Sequence, residues 1–221
     1  NTLSQSIIAA ASKYYEVPGL CKKLQISHLE IHCDPTTDPI KPLLTEAGTS
    51  NVCGGLLPSF SAYVKNRPTG IKGDVTHLFH GKSFTGTGTV GCAYVGSLCN
   101  LSGYSAGVNE LTFSSSLSLR SKLIAHETGH TCSAGHAGDQ NDVMYPTIGG
   151  SYNNAFGQSS KDSINNMVDS TIARRLSLPM HPYATGYSSA YASAYASAYA
   201  SAFASTCARL YFSAYSSPDP R

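Results

Sequence analysis

The sequence predicts an α+β fold, and three observations predict it. Segments with helical apolar spacing alternate with short apolar runs of strand character along the first 130 residues. The second half opens on His126-Glu127-Thr128-Gly129-His130, two histidines four apart in a helical stretch. Hydrophobic residues make up 41% of the 221, enough for a sizeable core.

In chain order, residues 2–16 read as a helix. Leu3, Ile7, Ile8, Ala11 and Tyr15 form its apolar stripe, and Pro18-Gly19 stop it. Residues 24–33, with Ile26, Leu29 and Ile31, read as a strand. Residues 34–52 hold three prolines and many small polar residues, and read as a loop that Cys33 and Cys53 bracket and can staple. A second helix is expected over 56–65, carried by Leu56, Leu57, Phe60, Tyr63 and Val64. Strands are expected over 74–80, over 85–95 as a sheet edge, and over 104–113. A helix spans 116–132, with Leu117, Leu119, Leu123, Ile124 and Ala125 suited to burial. After a Gly-rich loop at 147–158, a last helix is expected near 160–175. Ile164, Met167, Val168 and Ile172 are its buried stripe, and Asp162 and Arg174-Arg175 complement its dipole.

The chemistry concentrates at 126–136. His126 and His130 project from one helix face and can share a zinc ion. His136 follows six residues on, a spacing that requires the chain to turn back towards the metal. Three protein ligands leave a fourth position for water, which distinguishes a catalytic from a structural zinc. Glu127, beside the first ligand, suits a general base for that water. A bare HExxH also arises by chance on surface helices. The apolar residues before this one, and His136 and Met144 after it, weigh against chance. Nothing in the sequence indicates calcium.

Charged residues are only 13% and the net charge is +2, which gives no drive towards nucleic acid or an anionic membrane. No apolar run approaches the length of a membrane span. Seven cysteines with little charge, and an opening at Asn1 as in a processed chain, suggest a secreted protein with disulfides. Cys132 is two residues past His130, about 200° round the helix, and should face away from the metal. Asn100-Leu101-Ser102 is a glycosylation sequon.

The motif His126 to His136, followed by Val143-Met144-Tyr145-Pro146, resembles the metzincin metallopeptidases. Gly73-Asp74-Val75-Thr76-His77-Leu78-Phe79 and the stretch from Gly91 to Cys99 resemble the reprolysin branch, and the resemblance covers about residues 4–175. Three positions depart from it: Ser133 replaces a glycine, Ala137 follows the third histidine in place of an aspartate, and the methionine turn is matrixin-like. Serine adopts the positive φ that the glycine would allow only reluctantly.

The resemblance implies an α/β/α domain with a mixed twisted sheet. Its catalytic domain would span 1–182, with an upper subdomain at 1–135 and a lower one at 136–182. It implies a zinc endopeptidase with Glu127 catalytic and His126, His130 and His136 on the metal. Met144 would be a floor beneath the imidazoles, and Tyr145 would either line the substrate pocket or simply pack. Gly91, Cys92, Ala93 and Tyr94 would be the edge strand that pairs with an extended peptide substrate. It also implies a bond from Cys99 to a late cysteine, and Cys207 is the only one. In such domains a strand precedes the first helix and lies inside the sheet, and here the helix begins almost at Asn1. The gap is expected to be filled by a separate fragment, by another copy, or by this chain's own tail.

That tail, 183–221, opens with Tyr187, Tyr191, Tyr195, Tyr199 and Phe203 recurring every four residues in Ala/Ser filler. The pattern suits a packed or self-associating element better than a linker. It motivates a rival reading: an assembly protein on a metzincin scaffold, self-associating or donating a strand through its tail.

Overall fold

The structure is a computed structural model that describes residues 2–32, 38–43, 49–68, 72–81, 83–85, 88–149, 155–177 and 208–217. The aromatic repeat at 183–206, Cys33 and Cys207 lie outside these residues.

Five strands form one sheet: β1 (Lys22–Ile31), β2 (Val75–His80), β3 (Gly91–Ala93), β4 (Ala106–Glu110) and β5 (Ala208–Ser217). Their order is β1-β5-β2-β4-β3. β5 runs parallel to both its neighbours, β2 and β4 are parallel, and β3 closes one edge antiparallel to β4. The gap expected to be filled is occupied by the last of the three candidates, the chain's own C-terminal segment. Phe212 pairs with Ile26 on one side and with Val75 on the other. The last strand of the tail is thus part of the sheet rather than an appendage.

Helices cover both faces. On one lie α1 (Thr2–Tyr15), α3 (Leu117–Thr131) and α4 (Gln158–Ser177). Ile7, Ile8, Ala11 and Tyr15 of α1 join Ile124 and Ala125 of α3, Ile164 and Val168 of α4, and Val75 and Phe79 of β2 in one apolar cluster. On the other lies α2 (Leu57–Lys65), whose Leu57, Phe60 and Val64 pack on Leu78, Ala106 and Val108. Leu78 and Phe79 point to opposite faces because side chains alternate along a strand. All six residues of β2 are buried, as an inner strand beneath two helical layers requires.

The expected elements appear, with three adjustments. Leu3 and Leu117, assigned to buried stripes, are 50% and 44% exposed, since each sits in the first turn of its helix, beyond the reach of its neighbours. The edge strand is three residues, not eleven, because pairing with β4 ends at Ala93. The last helix starts at Gln158, so Asp162 falls past its first turn and accepts a hydrogen bond from the Gln158 amide at 2.8 Å.

Candidate active site

Helix α3 carries the site, and its two ends are fixed by local chemistry. Ser116 caps the start, its hydroxyl accepting from the Leu119 N–H. At the other end the Ser133 N–H donates to the His130 carbonyl and the Ala134 N–H to that of Gly129, both at 2.9 Å. This is a Schellman motif, which needs a left-handed residue after the cap. Ser133 supplies it with φ 71°. The loop after β3 satisfies the remaining carbonyls: the Gly96 N–H donates to His130 at 2.9 Å, and those of Ser97 and Leu98 to Thr131 at 3.0 Å.

The turn at Ser133 brings His136 back to the helix. His130 Nε2 stands 3.1 Å from His126 Nε2 and 3.2 Å from His136 Nε2. His126 and His130 are buried and His136 is exposed at the rim. His126 Nδ1 lies 2.8 Å from the Val143 carbonyl, and His130 Nδ1 lies 2.8 Å from that of Ala134. A carbonyl only accepts, so each Nδ1 carries its proton and each Nε2 turns a lone pair inward. Lone pairs this close repel unless a cation sits among them. Ligand atoms on a tetrahedral zinc at ~2.0–2.1 Å would stand about 3.3 Å apart, close to the spacings seen. Burial, and then the neighbouring His130, hold His126 down to about 3, so it stays neutral and available as a ligand. Burial likewise lowers His130.

Glu127 is buried beside the triad, and its Oε2 has no hydrogen-bond partner among the described residues. Burial pushes its carboxyl up to about 8. Its place depends on Gly91 in β3. A Cβ there would stand 2.5 Å from Glu127 Oε1 and 2.8 Å from Leu123 Cδ1.

Below the triad, Met144 is fully buried against α3, where a Cβ on Gly129 would meet its sulfur at 2.5 Å. Asp142 holds this turn. Its Oδ1 accepts from the Met144 N–H at 2.9 Å and its Oδ2 from the Ser160 hydroxyl at 2.8 Å, which ties the turn to α4. Asp142 is not singled out by any motif, although a carboxylate two residues before a turn residue is an Asx-turn signal.

A cleft of about 570 Å³ opens above the triad. Gly91, Cys92, Ala93 and Val95 line one wall and Pro146, Thr147 and Ile148 the other, with His126, Glu127, His130 and His136 at its base. Of the expected substrate residues, Tyr94 turns away and packs edge-on against Tyr104, with centroids 5.2 Å apart. Tyr145 is half buried and is not among the lining residues.

The expected bridge from Cys33 to Cys53 is not formed. Cys53 is bonded to Cys92, not to Cys33. Bracketing a loop says nothing of where the other end of a bridge lies in space, and the sheet brings β3 to within a Cα–Cα distance of 5.5 Å of Cys53. Cys99 Sγ lies 3.2 Å from Asp74 Oδ1, and Cys207, its expected partner, lies outside the described residues. Cys132 is buried facing away from the triad, and burial pushes its thiol up to about 12.

His77 sits wholly inside, between β2 and α3. Its Nδ1 lies 2.9 Å from Asn109 Nδ2 and its Nε2 3.4 Å from Thr128 Oγ1. It buttresses the helix rather than joining the triad.

Helices on both faces of a sheet, a histidine triad reached by a turn after the helix, and a buried methionine turn beneath it define the metzincin class of metallopeptidase. The sequence agrees: the reprolysin-type model of metallopeptidase family M12 matches residues 2–193, and the chain belongs to that family. No curated protein matches it.

Proposed function

We propose that the chain is a zinc-dependent endopeptidase acting on extended protein substrates outside the cell. The observation that carries this is the convergence of three inward-facing Nε2 atoms beside a buried carboxylate oxygen without a partner, at the base of an open cleft. His126, His130 and His136 would hold the zinc. When bound, the ion lowers the pKa of a coordinated water and polarises the scissile carbonyl.

The protein's own groups do the rest. Glu127 takes a proton from the attacking water on a carboxylate oxygen and returns it to the departing amide nitrogen. The Val143 and Ala134 carbonyls fix the imidazoles of His126 and His130.

Substrate alignment falls to β3. The Val90 carbonyl accepts from the Glu110 N–H and the Tyr94 N–H donates to Ala106, so residues 90, 92 and 94 bond inward to β4. Alternation turns the backbone groups of Gly91 and Ala93 to the open edge. An extended peptide pairs there by its main chain, which favours extended segments over particular side chains. The Cys53–Cys92 bridge and the low charge fit a secreted setting, and no helix among the described residues is long and apolar enough to cross a membrane.

Elemental analysis should find one zinc per chain. Casein cleavage should be lost with a chelator and restored by zinc. Glu127→Ala should keep the metal and lose about 10²–10⁴-fold in rate. Full activity in Glu127→Ala would overturn the assignment.

A further inference from the structure

We infer that the Cys53–Cys92 disulfide is a substrate-binding device: it holds the edge strand β3 in the conformation that an extended peptide pairs with. The inference rests on the endopeptidase reading above, and deepens it.

β3 is poorly secured for its task. It has three residues, one neighbouring strand, and three paired positions with β4. Short edge strands fray, because half their hydrogen-bonding groups face solvent. Side chains alternate along it. Gly91 faces α3, where it makes room for Glu127, and Cys92 points to the opposite face. There it is bonded to Cys53.

Cys53 belongs to a π-helical turn, Val52–Leu56, that leads directly into α2. This turn is well anchored. Val52 and Leu56 are buried in the apolar cluster under α2, and the Asn51 side chain accepts from the Gly54 N–H at 3.1 Å. The bridge therefore joins an exposed strand to a fixed point in the core. Both its cysteines line the cleft, with Cys53 exposed and Cys92 half buried.

The bridge carries no reacting atom. It acts by removing the ordering that a substrate would otherwise have to impose on Gly91 and Ala93, and preorganisation of this kind appears in affinity. Ordering one residue of a frayed strand corresponds to about tenfold in binding. The solvent-facing bridge also makes substrate affinity dependent on redox conditions, since a small thiol or phosphine can reach it at the mouth of the cleft.

The decisive variant is the pair Cys53→Ser/Cys92→Ser, assayed as full-length zinc-loaded protein on a fluorogenic peptide long enough to lie along β3. The expected result is a KM raised about tenfold, with kcat within about twofold and zinc content unchanged. A lowered melting temperature with KM unchanged would show a merely structural bridge and overturn the inference, and so would a fall in kcat with KM constant. If the pair does not fold, wild type is reduced with a phosphine and reoxidised, with the Cys53 and Cys92 thiols verified by alkylation. KM must rise and return; a constant KM with both thiols trapped overturns the inference. Zinc-loaded wild type that cleaves no peptide refutes the endopeptidase reading instead. Peptide binding to Glu127→Ala, weaker after reduction or unchanged by it, then decides for or against the bridge.

Discussion

At the scale of single residues, contacts that no motif contains set the site's tolerances. His126, Glu127, His130 and His136 were legible because spacing on a helix fixes direction before any tertiary structure is known. Gly91 was legible as part of an edge strand but not as the residue that makes room for Glu127, because that contact is made between segments 36 apart in sequence. Gly91→Ala should place a methyl against Glu127 Oε1 and Leu123 and displace the carboxylate. We expect kcat to fall about 10²-fold, the lower end for a displaced general base, with zinc retained, read by steady-state kinetics and metal analysis. Ser133 shows the opposite case. Its departure from the family's glycine was plain in the sequence, and the positive φ it implied is present at 71°. Ser133→Gly should relieve roughly 1 kcal/mol of backbone cost and raise the melting temperature by about 2–4 °C, with activity unchanged. A lowered melting temperature would show that the Ser133 side chain contributes more than its backbone costs.

At the scale of elements, periodicity located helices and strands well and their partners poorly. α1, α2, β2 and α3 fall within two residues of expectation, since each carries a strong apolar period. The length of β3 and the disulfide pairing were not legible, since both are set by which strand lies beside which. His77 on β2 links such elements, reaching Asn109 on β4 and Thr128 on α3. Burial, the dominant cause, lowers it from 6.5 to about 3, against the smaller opposing effect of Asn109. The sign follows from linkage. Between those values the unfolded chain binds a proton that the folded chain does not, so stability is present above pH 6.5 and is lost as pH falls towards 3. Urea midpoints of metal-free protein should therefore drop across this window. His77→Gln should flatten the drop while lowering stability at pH 7. A slope unchanged by the substitution would place the acid sensitivity elsewhere.

At the scale of the whole molecule, the C-terminal strand decides whether there is a domain at all. A sheet that lacked β5 would split between β1 and β2. Each would then present a row of unpaired N–H and C=O groups under the apolar faces of α1 and α2. The resemblance implied a strand inside the sheet before the first helix, and it left three donors open. Choosing among them required coordinates, since ten residues of strand character at the end of a long tail carry no address. The structure draws β5 from the same chain, which removes the main motive for reading the tail as an assembly device. Two consequences follow for the protein in solution. Phe212→Pro would remove one ladder N–H from an inner strand, at the position in register with both Ile26 and Val75, leaving one acceptor unsatisfied at about 1–3 kcal/mol and setting the proline ring against the ladder. It should therefore abolish cooperative unfolding or lower the melting temperature by several degrees. Supply of the strand in cis also makes folding unimolecular. Specific activity and sedimentation coefficient should then hold constant on dilution from micromolar to nanomolar, since no partner has to be found. Donation between copies would behave otherwise, with activity falling on dilution as exchanged subunits part and the open sheet collapses. A dilution series by sedimentation velocity, run beside the activity assay, separates the two. Loss of activity in step with loss of a larger species would reassign the source of β5 to a second copy.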